Sequence, residues 1–389
     1  MAQEYIYLDH ASTTPVDLKV LEKMRPYFSD LYGNPSGLYG ISRKAKDAID
    51  QSRKAVAEFI GASPQEITFT SGGTESDNLA ILGVARHVGS GHIITSKIEH
   101  SAVLNSCRQL EKEGFDVTYL DVNTEGTVNL NQLKKSLRKD TVLVSIMYAN
   151  NEIGTVEPIS EISDIIKCYR KTNKSEKPYF HSDACQGTLY LDMNVENLGV
   201  DLLTFNGSKI YAPKGIGVLY IRESVKINQI IFGGEQERGL RPGTENVPYI
   251  VAMAEALNQI KKHDFKEELK MRDFLIDELL KIENSHLNGL RSNRLPNNVN
   301  ITFDGIEGEA AILYLDKMGI ALSTGSACMS KSLKPSHVLS ALGRNPEAAH
   351  SSLRISLGRG NSLSQMPRVV EAITKIVQEL RQMSAIYEK

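Results

Sequence analysis

The sequence predicts an α/β protein with two parts. A large domain over residues 16–258 carries a mainly parallel sheet flanked by helices, and a smaller α+β domain is formed by residues 1–15 and 259–389. Three observations lead there. Strand-like apolar runs alternate with helical patterns from about Asp17 to Glu255, the signature of βαβ units. One of those runs, Val142-Leu143-Val144-Ser145-Ile146-Met147, is continuously apolar, as a strand covered by helices on both faces would be. With 389 residues and 41% hydrophobic content, the chain also exceeds one typical domain and can bury large cores.

The elements of the large domain place chemistry at strand ends. Ile67-Thr68-Phe69-Thr70 reads as a strand, Ser71-Gly72-Gly73 as a turn, and the segment from Thr74 through Leu79-Ala80-Ile81-Leu82 as a helix. Backbone N–H groups and the dipole at a helix N-terminus favour a phosphate dianion, and Thr74 adds a hydroxyl. Alone, such a turn signals no more than tight geometry. His100 follows Ile93 to Glu99 and by itself is a helix-start or core histidine; Asn151 by itself is a turn residue. Lys171 to Lys177 is a polar, exposed loop. Tyr179-Phe180-His181-Ser182-Asp183 reads as a short strand whose end presents Asp183 and Gln186. Leu202 to Phe205 is a buried strand, Asn206-Gly207-Ser208 a turn, and Gly215 to Ile221 resumes strand composition, so Lys209 stands at a strand end.

A lysine desolvated there has a lowered pKa and acts as a Schiff-base nucleophile. In a chain with 45 Lys and Arg, one such lysine is ordinarily a surface residue. Lys209, the Asp183 carboxylate and the Gly73-Thr74 phosphate nest together form a stronger pattern. Pyridoxal 5'-phosphate needs a lysine for its aldehyde, an acid for its pyridine nitrogen and a cradle for its phosphate.

The later elements supply a second group of residues. Helices are expected around Ala252 to Leu257 and Phe274 to Ile282, and Asn298-Val299-Asn300-Ile301-Thr302-Phe303 alternates as a strand. Arg354, between Leu353 and Ile355, would by alternation alone be a solvated strand residue. A closing helix puts Val369, Val370, Ile373, Ile376, Val377 and Leu380 on one face, a core face. Ser323 to Ser336 is rich in small and polar residues and reads as a mobile surface loop bearing Cys328 near lysines, where a thiol populates its nucleophilic thiolate. An isolated cysteine is more often incidental. Cys107 and Cys168 fall on helix-like stretches as packing residues, and Cys185 lies near the cofactor without a chemical role. No CxxC or zinc-type spacing occurs, so no metal site is assigned, and four scattered thiols suit a reducing compartment.

Ordered motifs then make the chain familiar. Tyr7-Leu8-Asp9-His10-Ala11-Ser12-Thr13-Thr14-Pro15, Gly33-Asn34-Pro35-Ser36, Ser71-Gly72-Gly73-Thr74-Glu75-Ser76, Glu99-His100, Asn150-Asn151-Glu152-Ile153-Gly154, Arg238-Gly239-Leu240-Arg241-Pro242-Gly243-Thr244, Gly325-Ser326-Ala327-Cys328 and Arg354-Ile355-Ser356-Leu357-Gly358-Arg359 span nearly all of it. Together they resemble the class V group of fold-type I pyridoxal-phosphate enzymes, and within it the cysteine desulfurases of the NifS and IscS type. The resemblance implies the fold-type I transferase architecture and a role for each matching residue. Lys209 would hold the cofactor aldehyde, Asp183 would pair with the pyridine nitrogen, and Gln186 would hydrogen-bond the phenolic oxygen. His100 would stack on the ring and move protons. Gly73 and Thr74, with Asn206 and Ser208, would hold the phosphate. Asn151 and Arg354, joined by Asn34, would bind the substrate carboxylate, the arginine through its planar fork. Thr244 would reach the cofactor phosphate of the other subunit, so a homodimer with shared sites is implied. Cys328 would take sulfur from L-cysteine as a persulfide, leaving L-alanine, and pass it to an iron–sulfur scaffold or another acceptor protein.

The chain departs from this pattern in two places. Asn206-Gly207-Ser208-Lys209 stands where Ser-Gly-His-Lys is usual, so a serine and a histidine of the phosphate site are replaced by other hydrogen-bond donors, neither with an imidazole's partial charge. Gly37-Leu38-Tyr39 stands where a serine and a histidine are common. Neighbouring readings are a selenocysteine lyase on the same scaffold, a class V aminotransferase or lyase that would not need Cys328, and a noncatalytic sulfur-handling scaffold. A net charge of -2 gives no footprint for nucleic acid or membrane. The first residues lack the charged and apolar regions of a leader, and no 18-residue apolar run occurs, so the cytoplasm is expected.

Overall fold

The computed structural model describes residues 5–260, 264–324 and 335–383. Seven strands form the principal sheet: β1 (Ile67–Thr70), β2 (His92–Ser96), β3 (Asp116–Leu120), β4 (Thr141–Ser145), β5 (Tyr179–Asp183), β6 (Leu202–Asn206) and β7 (Gly217–Ile221). Their order is β1-β7-β6-β5-β4-β2-β3. Only β7 runs antiparallel to its neighbours, β1 and β6; the other pairs are parallel. The β4 and β5 strands are buried at every residue, which is why neither alternates between apolar and polar residues as a half-exposed strand would.

Helices cover the sheet. α1 (Gly40–Ile60) turns Ala45, Ile49, Ser52, Val56 and Ile60 inward at helical spacing and ends at Gly61, whose φ of 70° is the left-handed cap that glycine adopts without penalty. α2 (Gly73–Val88) and α3 (Ser101–Lys112) begin just beyond β1 and β2. Ile159–Asn173 forms α4, so the polar stretch expected as a loop from Lys171 is helical through Asn173. Thr172 and Asn173 donate back to the carbonyls of Cys168 and Tyr169 and carry the last turn. The same helix corrects the placement of Cys168. Its inward stripe is Ile159, Ile162, Ser163 and Ile166, and Cys168 lies off it, exposed, whereas Cys107 is buried in packing as expected.

A second sheet is antiparallel: β8 (Ser285–Leu287), β9 (Asn298–Phe303) and β10 (Ser352–Ser356), in the order β10-β9-β8. Val299, Ile301, Leu353 and Ile355 face one way, into a hydrophobic cluster with Ile6, Leu8 and the closing helix α5 (Met366–Met383). Each such side chain withdrawn from water contributes about 1.5–3 kcal/mol. Val369, Ile373, Ile376 and Val377 supply the α5 side of that cluster, with Val370 and Leu380 at its margin. The opposite face of β9 is polar yet buried: Asn298 and Asn300 both donate to the Glu152 carbonyl, and Asn288 donates to Asn300 and Thr302. Strand alternation therefore separates an apolar face from a polar one that is turned toward the principal sheet.

Candidate active site

The carboxyl ends of β5 and β6 and the turn after β1 meet in a cavity of about 640 Å³, within the range usual for small-molecule sites at this edge of an α/β sheet. Asp183 closes β5 and Asn206 closes β6. Lys209 follows in a single 3-10 turn, Gly207–Lys209, and its Nζ donates to the Ser12 carbonyl at 2.5 Å. The turn after β1 depends on glycine. Gly72 has φ 155°, and a Cβ on Gly73 would lie 2.8 Å from Cys185 Sγ and 3.0 Å from Asn206 Nδ2. The chain thus brings the first N–H groups of α2 to the cavity wall without a side chain between. Thr74 opens onto the same wall.

Asp183 is buried and accepts the Cys185 N–H at 2.9 Å. Cys185 is buried too, and burial, with Asp183 adding to it, holds its thiol well above the ordinary range, in accord with a packing residue that does not react. Gln186 lines the cavity and donates to the Ala11 carbonyl at 3.0 Å. His100 caps α3, its Nδ1 accepting the Ala102 N–H at 3.2 Å. In the neutral ring this leaves the proton on Nε2. It is therefore both a helix-start histidine and a lining residue. Ser208 donates to Asn206 Oδ1 at 3.2 Å, so the two residues that depart from the familiar pattern are hydrogen-bonded to each other.

Arg354 comes from the second sheet. It is 3% exposed, not the solvated strand residue that alternation alone suggests, because its face of β10 is turned toward the cavity. One nitrogen donates to Asp9 Oδ1 and Ser12 Oγ, both at 2.8 Å, the other to the Asn151 carbonyl at 3.0 Å, and the buried Nε has no partner. Asn151 lines the cavity beside it. Ser12 is the hinge of this arrangement, its carbonyl on Lys209 and its hydroxyl on Arg354.

Asn34 and Thr244 are not among the cavity residues. Both are exposed, and Asn34 accepts the Ser36 N–H within its own turn. Their chain neighbours Ser36 and Glu245 line one separate surface groove. Cys328 lies outside the described residues, but the described chain on either side of it reaches the site. Ser323 pairs with the Arg354 backbone, while Ser336 lines the cavity and donates to Glu152 Oε2 at 2.5 Å. Sequence reasoning gave no role to Asp9, Ser12 or Asp77. Asp77 lines the cavity although it is only 1% exposed. The available signal was its place one helical turn after Gly73, which sets it on the same face of α2.

The residues present fit pyridoxal phosphate. An amine, a buried carboxylate and a glycine cradle at a helix N-terminus surround one cavity, and the glycine cradle is a space that any Cβ would fill. Residues 6–369 match the family described as Aminotransferase class-V. The chain belongs to the class-V aminotransferase family. Among family relatives, it is 49% identical to "Cysteine desulfurase IscS" of Methanosarcina thermophila, over 99% of this chain and 95% of the relative. It is 48% identical to "Cysteine desulfurase IscS" of Dictyoglomus turgidum, over 97% and 96%. A solved "NIFS-LIKE PROTEIN" superposes with a TM-score of 0.89 at 36% identity, over 96% of this chain and all of that one. "SspA in complex with cysteine" superposes at 0.80 with 38% identity, over 90% and 98%.

Proposed function

We propose that this class-V family member is a pyridoxal-phosphate-dependent cysteine desulfurase, which converts L-cysteine and the Cys328 thiol to L-alanine and a Cys328 persulfide. The single observation that carries the reading is the convergence of Lys209, Asp183, the Gly73 cradle and Arg354 on one cavity. The bound cofactor supplies an electron sink for charge released at the substrate's alpha carbon. Lys209 would hold the cofactor's aldehyde, and its amine would accept the alpha proton of the substrate. Asp183 holds the pyridine nitrogen protonated. Gln186 would hydrogen-bond the phenolic oxygen, and His100 would stack on the ring and move protons. Gly73, Thr74, Asn206 and Ser208 hold the phosphate. Arg354 and Asn151, with Asn34, orient the substrate carboxylate.

The Cys328 thiolate attacks the substrate sulfur. The carbon–sulfur bond breaks, a sulfur–sulfur bond forms, and a proton delivered to the former sulfur-bearing carbon completes alanine, so no external oxidant is required. The boundaries at residues 16–258 and at 1–15 with 259–389 suit this division of labour. The larger part carries Lys209 and Asp183, the smaller Arg354 and Cys328, and each has its own hydrophobic cluster. The exposure of Thr244, beside a groove and away from its own cavity, supports a homodimer in which Thr244 serves the partner's phosphate site. The persulfide then passes to an iron–sulfur scaffold or another acceptor protein. Among the described residues no helix is long and apolar enough to cross a membrane, and we place the reaction in the cytoplasm.

The test is alanine formation from L-cysteine by the purified holoenzyme, with L-selenocysteine in parallel. Turnover of cysteine, abolished by Lys209→Ala, is the expected result. Turnover of selenocysteine alone would replace the reading with a lyase, and no cofactor absorbance would replace it with a noncatalytic role.

A further inference from the structure

Beneath Asp183 lies a second carboxyl that the proposed mechanism does not use. Asp77 and Asp183, with His100, each bring a side-chain donor atom within 4.8 Å of the others. Asp77 is 1% exposed and its Oδ1 has no hydrogen-bond partner. The nearest basic group is His181 Nε2 at 3.7 Å. That ring is fully buried and already spans Ser145 Oγ at 2.9 Å and Thr204 Oγ1 at 3.0 Å. The row Ser145, His181, Thr204 crosses β4, β5 and β6, and Thr204 is the direct cross-strand neighbour of Asp183. Asp77 itself hydrogen-bonds Thr204.

Electrostatics decides what such a pair does. Two carboxylates this close and this far from water do not both ionise near neutrality; one keeps a proton. The groups facing Asp77 include Asp183 and His181 from β5, Cys185 just beyond it, Thr204 from β6, and Glu99 and His100 at the start of α3. His181, the basic group within the sheet, supplies no compensating charge: burial pushes it down to about 4, so it is neutral at pH 7. Burial, then the Asp183 charge, pushes Asp77 well above the ordinary carboxylate range. Asp183 accepts a backbone N–H from Cys185, whereas Asp77 Oδ1 accepts none.

We propose that Asp77 is a positioning residue for Asp183, a neutral carboxylic acid that leaves Asp183 the single negative charge on the cavity floor and ties it to the sheet through Thr204 and His181. The inference rests on the reading of Asp183 as partner of the pyridine nitrogen, but its first test needs no cofactor. With aspartate carboxyls carbon-13 labelled, infrared spectra of the apoprotein at pH 7 should show a protonated aspartic acid band. It should vanish in Asp77→Asn and persist in Asp183→Asn. Fluorescence titration with pyridoxal phosphate is the second readout. Asp77→Ala should weaken binding about 10-fold, and Asp77→Asn, the neutral isostere, should recover most of that loss. Absence of any protonated aspartate band in the wild-type apoprotein overturns the proposal even if no variant folds. So does Asp77→Asn binding as poorly as Asp183→Asn. A protein with the band but no affinity for pyridoxal phosphate would instead refute the functional reading and leave the buried pair standing.

Discussion

Ser208 and Asn206 are the residues at which the proposed phosphate site is most distinctive. Ser208 donates to Asn206 Oδ1, which turns the Asn206 amide nitrogen toward the Gly73 cradle, 3.0 Å from where a Cβ would stand. Two neutral donors thus occupy a place where an imidazole would bring partial positive charge next to the helix dipole. A charge-assisted hydrogen bond is worth roughly twice a neutral one. Ser208→His should therefore tighten pyridoxal phosphate by about 1 kcal/mol, or about 5-fold, in a titration of apoprotein followed by absorbance. Unchanged affinity would mean that the Asn206–Ser208 pair already does the work of the imidazole. The importance of these residues was legible from their departure from a familiar motif. Their hydrogen bond to each other was not, because it depends on the 3-10 turn that folds Ser208 back over the end of β6.

At the scale of elements, the turn from Gln236 to Gly239 is held by a buried ion pair. Glu237 and Arg238 have φ of 46° and 58°, successive non-glycine residues in the left-handed region, where each costs on the order of 1 kcal/mol. Arg53 of α1 offsets this cost with two hydrogen bonds to Glu237, at 2.8 and 2.5 Å, and the Phe69 N–H adds a third at 3.0 Å. Arg238 donates to the Ile67 carbonyl and to Thr68. The turn is thereby fastened to β1, and with it the segment that leads to Thr244. Glu237→Ala strands the Arg53 guanidinium in a largely buried position and should destabilise the protein by about 3 kcal/mol in urea unfolding. A loss below about 1 kcal/mol would show that Arg53 finds water or another partner. None of this could be read in advance, since Arg53 and Glu237 are 184 residues apart. The sheet itself could. Strand-like runs marked β1, β4, β5, β6 and β7, and Gly72-Gly73 marked the start of α2. The α4 terminus and Cys168 were misjudged for one reason: polar residues at the end of a helix look like a loop until the direction of its buried stripe is known.

For the molecule as a whole, buried ionisable groups give a pH signature. Burial pushes Glu157 up to about 8, with the Val128 N–H partly opposing it, and burial likewise pushes Glu99 up to about 8 against hydrogen bonds from Ser96 and Met147. The folded protein keeps protons that the unfolded chain releases above pH 4.5, so this contribution to stability is present at low pH and is lost as pH rises toward 8. Burial has the opposite consequence for His92 and His181, pushed down to about 4 from 6.5: their contribution grows between those values and is complete above 6.5. Between pH 6.5 and 8 only the glutamate slope remains among these groups. The melting temperature should fall across that interval, and Glu157→Gln should flatten the fall. An unchanged slope in the variant would place the titration elsewhere.

Arg354 and the described chain on either side of Cys328 converge on a cavity floored by the principal sheet, and we propose that sulfur leaves cysteine there for Cys328. Single-turnover alanine release from L-cysteine, without reductant, tests it most directly when native protein is compared with Cys328→Ala and sulfur is located by mass spectrometry. About one alanine per site with the persulfide on Cys328 is expected, with loss of both in the variant. Alanine released undiminished by Cys328→Ala would contradict it.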